Sequence, residues 1–233
     1  MFINKIKIIF FPAGIELKNI NFNNQEEYWE TNYTNRPKMF GLTPSFAAEK
    51  SLKIFKKEKI SKIVELGSGL GRDTIFFAKN NIKVEALDYS LTAIKTIKKK
   101  AKDNNFSELV SAKYFDVRDK LPYKDNSVEG IFSHMLYCMA LTNAEIEKLN
   151  NEVFRVLKPG GMNIYTVRNI NDGDFKKGVH WGDDIYENDG FIINFFSEKK
   201  VNNLSKGFKN LSIINFEEGS FPRKLFLITN KKI

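Results

Sequence analysis

The stretch Val64-Glu65-Leu66-Gly67-Ser68-Gly69-Leu70-Gly71-Arg72-Asp73 decides the reading of this chain. An apolar run, Lys62 to Leu66, leads into glycine at every second position, and a helical pattern begins at Arg72. Glycine belongs where a chain must turn sharply or let a ligand approach its backbone. Such a turn, between a strand and a helix N-terminus, is a site for a nucleotide-type cofactor. The dinucleotide fingerprint is G-x-G-x-x-G. Here the spacing is G-x-G-x-G, with the acidic Glu65 shortly before the first glycine.

Outward from this loop the chain alternates strands and helices. Upstream, Glu26 to Asn35 reads as a helix ending near Arg36-Pro37. Thr43-Pro44 opens a second helix over Ser45 to Lys57, with proline at or near its first turn. Downstream, a helix over Arg72 to Lys79 precedes a strand over Lys83 to Leu87, which ends at Asp88. Ser90 caps a helix whose apolar stripe is Leu91, Ile94, Ile97 and Ala101. Strands follow at Val110 to Phe115 and Ser127 to Ser133, then a helix from Asn143 to Leu157. Lys158-Pro159-Gly160-Gly161 reads as a turn before a strand over Met162 to Val167. This alternation is the signature of a parallel sheet with crossover helices. Asn169 to Asn194, rich in glycine and aspartate, reads as a loop-like insertion. Ser197 caps a short helix closed by Gly207, and Leu211 to Phe216 and Lys224 to Thr229 form two last strands joined by a turn.

The 233 residues suit one large α/β domain with a full core. It divides into a leader (1–24), N-terminal helices over the cleft (25–60), a cofactor-binding core (61–168), a substrate-side insertion (169–196) and a C-terminal helix and hairpin (197–233). No apolar run approaches the roughly 20 residues that span a bilayer. Ile8 to Phe11 is shorter than a signal-peptide core, so the chain reads as cytoplasmic, without a membrane partner. The single cysteine, Cys138, excludes an internal disulfide and a cysteine-cluster zinc site, and its apolar neighbours make it a core residue. No metal is expected: Asp172, Asp174, Asp183 and Asp184 read as turn residues. The net charge is +9. Its densest cluster, Lys95, Lys98, Lys99, Lys100 and Lys102, fits a solvated helix face and calls for no nucleic-acid partner.

Four features occur in order: the glycine loop, Asp88 about 20 positions on, Asp116 after the third strand, and Val156-Leu157-Lys158-Pro159-Gly160-Gly161 before the fifth. A carboxylate placed like Asp88 accepts from ribose hydroxyls. One placed like Asp116 can accept from the exocyclic amine of adenine, with Val117 packed on the ring. Together they resemble class I S-adenosylmethionine (SAM) methyltransferases. The resemblance implies a Rossmann-like seven-stranded fold: a mostly parallel α/β sheet with a C-terminal antiparallel hairpin and helices on both faces. It implies SAM as cofactor and S-adenosylhomocysteine as product. The implied cofactor set is Glu65, Gly67, Ser68, Gly69, Gly71, Arg72, Asp88, Tyr89, Asp116, Val117 and Ser133. Glu65 and the backbone of Gly67 and Gly69 would face the methionine portion, with Ser133 and His134 beside the sulfonium.

Methyl transfer from SAM is an in-line displacement that chiefly requires positioning and exclusion of water. A base is needed only when the acceptor carries a proton. Ser133-His134-Met135-Leu136-Tyr137 lacks the N/D-P-P-aromatic motif of enzymes that methylate nucleic-acid amino groups, and a Pro-Cys nucleophile is absent. A small-molecule acceptor is therefore expected, with the protein a monomer or homodimer. His134 and Tyr137 are the catalytic candidates; His134 also fits a satisfied structural role. Tyr28, Trp29 and Tyr33, in a Y-W-x-x-x-Y pattern, are substrate candidates and equally fit one core-facing helix face. Arg36, Arg168, His180, Trp181 and Arg223 complete the substrate set. The W-x-x-x-Y pattern, G-R-D in the glycine loop and His180-Trp181 look like the tellurite-resistance and thiopurine methyltransferase group, which implies a thiol, chalcogenide or other soft nucleophile. The alternatives are an RNA or protein methyltransferase, favoured by the positive charge, and a non-catalytic SAM-fold binding module.

Overall fold

Alternation along the strands divides the core between the two faces of one sheet. The structure, a computed structural model, describes residues 25–219 and 223–233; the leader read over residues 1–24 lies outside them. Two helices, α1 (Gln25–Asn35) and α2 (Phe46–Lys57), precede β1 (Lys62–Leu66), α3 (Arg72–Lys79), β2 (Lys83–Asp88), α4 (Leu91–Asp103) and β3 (Val110–Tyr114). Then come β4 (Val128–Ser133), α5 (Asn143–Val156), β5 (Leu157–Arg168), β6 (Val179–Gly182), β7 (Ile185–Asn188) and β8 (Phe191–Asn194). The chain closes with α6 (Glu198–Leu204), β9 (Phe208–Glu218) and β10 (Arg223–Lys232).

The main sheet has seven strands in the order β3-β2-β1-β4-β5-β10-β9. β3, β2, β1, β4 and β5 run parallel, and β10 pairs antiparallel with both β5 and β9. This is the seven-stranded, mostly parallel sheet that the resemblance implies, closed by the expected hairpin. Successive strand residues point to opposite faces. Val64, Ile131, Tyr165, Val167, Phe226 and Ile228 accordingly join Ile146, Leu149 and Val153 of α5 and Val201 of α6. Their neighbours Ile63, Phe132, Ile164 and Leu227 join Phe55 of α2, Phe77 of α3 and Ile97 of α4. Helices thus cover both faces.

Side-chain caps fix the helix starts. Ser45, Ser90 and Ser197 accept from the N–H groups of Ala48, Ala93 and Lys200, and Thr142 and Glu145 form a reciprocal capping box. Ser45 is therefore the cap of α2, and Pro44 lies before it rather than in the first turn. Lys95, Lys98, Lys99 and Lys102 are exposed on α4, as read, whereas Lys100 is half-buried and donates to Leu70 O at 2.8 Å. Cys138 is buried and free, also as read.

Two readings change. Lys158 to Gly161 is a bulge inside β5: Val128 pairs with Leu157, and Gly130 already pairs with Met162. The insertion is a three-stranded antiparallel sheet, β6-β7-β8, rather than a loop. Asp183-Asp184 and Asp189-Gly190 connect its strands as two-residue turns. Asp189 and Gly190 have φ of 51° and 82°, the left-handed pair that suits a tight hairpin. The Asp-Gly dipeptide beside Phe191-Ile192-Ile193 was a legible hairpin signal that residue composition obscured. This sheet is tied to the turn after β4 by Ala140 N–H donating to Ile192 O at 3.0 Å and Asn194 N–H donating to Cys138 O at 2.9 Å. No helix among the described residues is long and apolar enough to cross a membrane.

Gly71 caps α3 with φ 76°, and a Cβ there would lie 2.6 Å from Ile97 Cγ1 of α4. Backbone strain and overpacking therefore act together on Gly71→Ala. Urea denaturation should show a loss of roughly 2–4 kcal/mol; a loss below about 0.5 kcal/mol, the scale of an ordinary surface substitution, would contradict this packing account.

Candidate active site

The carboxyl ends of β1, β2, β3 and β4 border one cavity. In open α/β sheets ligands bind at these ends, where strand order reverses; here β2 and β4 flank β1 on opposite sides. Glu65, Gly67, Ser68, Gly69 and Arg72 from the glycine loop line the cavity, with Asp88 and Tyr89 from the end of β2 and Asp116 and Val117 after β3. The loop is pinned to β2. Gly67 and Ser68 N–H both donate to Leu87 O, at 2.8 and 3.1 Å, and Gly69 N–H donates to Asp88 Oδ2 at 2.8 Å. A Cβ on Gly67 would come within 3.0 Å of Leu136, and one on Gly69 within 3.2 Å of Tyr33 Oη. The missing side chains therefore leave space against cavity-wall residues.

Asp88 is buried, and Ser90 N–H donates to its other oxygen at 2.9 Å. Burial raises its pKa to about 6 against the pull of those backbone donors. An acceptor of this kind, with lone pairs to spare beside a glycine cradle, fits ribose hydroxyls. Glu65 is buried as well and accepts from Thr74 Oγ1 at 2.5 Å. Burial and the nearby Asp73 carboxylate hold its pKa well above the usual carboxylate range. Asp116 lies on the wall, but Arg118 clamps it through Nε (2.9 and 3.0 Å) and Nη2 (2.5 Å), and the Arg118 N–H donates to it at 2.9 Å. Most of its acceptor capacity is thus already engaged. Phe115 and Val117 line the cavity beside it as apolar surface for a ring.

The roof is aromatic. Trp29 and Tyr33 of α1, with Phe40 after it, line the cavity, and Trp29 packs against Tyr33 and Phe191 with ring centroids 5.3 and 5.5 Å apart. Glu30 fastens α1 to the start of α4, accepting from Ser90 Oγ and Thr92 Oγ1, each at 2.5 Å. A carboxylate at a helix N-terminus also meets the positive end of its dipole. The hairpin end supplies Glu218 and Arg223, and the turn after β4 supplies His134, Met135, Leu136 and Met139.

Several expected site residues lie elsewhere. Gly71 packs under α4, as above, and does not line the cavity. Ser133 is buried in β4 outside the lining. Tyr137 is buried and stacked on Tyr165 at 4.5 Å, which corrects its catalytic assignment. Burial pushes its phenol well above the ordinary range. Arg168 is buried and paired with Asp172 and Asp174, so its charge is neutralised internally. Tyr28 braces the small sheet through Asp189 O and Phe191. His180 stacks on Tyr186 and Trp181 donates to Glu187, both within the small sheet. Arg36 is exposed. None of these last five lines the cavity, and none of the residues from Asn169 to Asn194 does. The insertion instead backs the aromatic roof through Phe191. The sequence reading missed Phe40, Asp73, Phe115, Arg118 and Glu218. Phe115 and Arg118 flank Asp116 and were within reach of the same strand-end argument; Glu218 comes from the far end of the chain and had no local signal.

Residues 63–161 match a family model described as a methyltransferase domain. The chain is 30% identical over 181 residues to a phosphoethanolamine N-methyltransferase of Triticum aestivum, covering 77% of this chain and 32% of that protein. It spans less than a third of the length of the curated relatives it matches. A Burkholderia thailandensis 1,6-didemethyltoxoflavin-N1-methyltransferase, solved with bound 1,6-didemethyltoxoflavin and S-adenosylhomocysteine, superposes with a TM-score of 0.71 at 15% identity, over 96% of this chain and 93% of that one. The [4+2]-cyclase SpnF superposes at 0.67 and 13% identity, over 91% of this chain and 96% of that one. The matched segment carries the glycine loop, Asp88 and Asp116, and the fold is shared with these solved structures.

The titration of Asp88 sets a pH dependence. Its ionised form is the better acceptor, so S-adenosylhomocysteine affinity should be full above pH 6 and fall as pH drops through about 6. Calorimetry on Asp88→Asn should show about tenfold weaker binding at pH 7.5 and loss of this pH dependence. Unchanged affinity in the variant would remove Asp88 from the site.

Proposed function

We propose that the chain is a SAM-dependent methyltransferase acting on a small-molecule acceptor. The observation that carries this reading is one cavity that joins the glycine loop and Asp88 to His134 beneath an aromatic roof. The backbone of Gly67 and Gly69 and the Asp88 carboxylate would hold SAM, with Phe115 and Val117 against its base. When bound, SAM supplies a methyl group already activated by positive sulfur. The chain's own contribution is then to orient the acceptor and exclude water. Trp29, Tyr33 and Phe40 exclude water above the cavity, and Glu30 keeps α1 in place over it. Tyr33 Oη lies over the glycine loop, where it narrows the space open to an acceptor.

Two acceptor classes are favoured by different observations. The W-x-x-x-Y flank and the G-R-D loop support a thiol, chalcogenide or other soft nucleophile. The wheat relative, named for N-methylation of phosphoethanolamine, supports an amine. The same fold also occurs in the [4+2]-cyclase SpnF, so turnover is the deciding test. A panel of thiols, chalcogenides, amines and carboxylates, read by S-adenosylhomocysteine release, should give acceptor-dependent turnover with at least one class. Release that no acceptor stimulates would contradict the reading. Glu30→Ala, which removes the tie between α1 and α4, should raise the acceptor KM several-fold while leaving the melting temperature of the core nearly unchanged. An unaltered KM would show that α1 does not shape the acceptor site.

A further inference from the structure

Asp116 follows β3 in a turn that is fastened on three sides. Asp88 pairs with Tyr114 across β2 and β3, and the Phe115 N–H then donates to Asp88 O at 3.0 Å. Asp119 N–H closes the turn by donating to Asp116 O at 3.0 Å. Lys148 of α5 holds the turn from outside, donating to Arg118 O at 2.6 Å. Within this frame the Asp116 carboxylate is gripped by a single residue. Arg118 donates its backbone N–H to Oδ1 at 2.9 Å, its Nε spans Oδ1 and Oδ2 at 2.9 and 3.0 Å, and its Nη2 donates to Oδ2 at 2.5 Å. Both residues line the cavity beside Tyr89, Phe115 and Val117.

We propose that Arg118 is a positioning residue for base recognition: its planar fork fixes the Asp116 carboxylate so that one oxygen is left to accept from an exocyclic amine of the bound base. The proposal rests on the SAM reading of the cavity. A carboxylate offers about four acceptor sites, and three N–H groups of Arg118 engage three of them, leaving about one, on Oδ2. The terminal torsion of an aspartate is otherwise broad and soft. Here the side-on fork and the backbone N–H oppose its rotation, and the turn that carries them is anchored to β2 and α5. The cofactor then meets a preset acceptor instead of ordering one as it binds.

The charge state agrees with this geometry. Burial would raise the Asp116 carboxyl, yet the hydrogen bonds and charge of Arg118 hold it below the ordinary carboxylate range. At neutral pH the group is ionised and only accepts. A 6-amino purine brings a donor to Oδ2, whereas a 6-oxo purine brings an acceptor that faces another acceptor. Lysine, a point charge on a flexible stem, would neutralise Asp116 without fixing its plane. The Arg118 and Asp116 side chains are 32% and 24% exposed, and a pair this open adds little stability. Loss of the fork should therefore register in binding rather than in folding.

Calorimetry with S-adenosylhomocysteine and with S-inosylhomocysteine, its 6-oxo counterpart, tests the assignment. The wild type should prefer S-adenosylhomocysteine about tenfold, the scale of one polar group left unpaired. Arg118→Met, which keeps much of the bulk and removes the fork, should weaken S-adenosylhomocysteine about fivefold and S-inosylhomocysteine by less than about twofold, with the melting temperature nearly unchanged. Arg118→Lys, which keeps the charge without the fork, should behave like the methionine variant and covers the case in which that variant folds poorly. Unchanged or tighter S-adenosylhomocysteine binding in these variants would overturn the proposal. An equal loss for both ligands, the mark of a merely structural role, would overturn it too, as would wild-type affinity in Arg118→Lys. Failure of the wild type to bind either ligand would instead defeat the SAM reading, and this assignment with it.

Discussion

The hydrogen bond from Gly69 N–H to the Asp88 carboxylate, at 2.8 Å, is the point on which the site depends. It joins the loop after β1 to the end of β2, and the adjacent Gly67 and Ser68 N–H groups bind Leu87 O on the same strand. The loop can reach β2 only because Gly67, Gly69 and Gly71 all take left-handed φ, at 67°, 52° and 76°. Their consequences differ. Gly67 and Gly69 leave space beside Leu136 and Tyr33, whereas Gly71 lets α3 approach α4 at Ile97. One sequence motif thus serves a cavity wall and a packing surface at once.

Around this junction the structure gathers pieces from distant parts of the chain. Asp73 accepts from Ser45 N–H and Oγ, both at 2.8 Å, so the first turn of α3 is fixed to the cap of α2. Glu30 ties α1 to the cap of α4. Phe191 of the small sheet supports Trp29 from behind. The roof is therefore held by capping residues of helices that begin at the strand ends, and its position follows from the same topology that places the glycine loop.

The sequence made the sheet legible because its strands are short apolar runs closed by Asp88, Asp116 and glycine, and its helices start at side-chain caps. The insertion was obscured because β6, β7 and β8 are four residues each and their turn residues dominate the composition. Arg168 looked like an anion-binding residue, since an arginine at a strand end is normally accessible. The structure places it in a buried pair with Asp172, a partner four residues on whose role sequence spacing alone did not reveal. Asp116 kept its place on the cavity wall but not its freedom, because Arg118 folds back on it. Glu218 was invisible for a topological reason: β10 lies between β5 and β9, and only that order brings the end of β9 to a cavity built by β1 to β4. The substrate side is the less legible half, since its contacts are nonlocal while the cofactor side is written in consecutive strand ends.

The central claim is that this cavity takes SAM. Isothermal titration calorimetry of the full chain with SAM and with S-adenosylhomocysteine tests it most directly. The account predicts one-to-one binding of both, with dissociation constants well below millimolar. Absence of binding by either ligand up to millimolar concentration would contradict it.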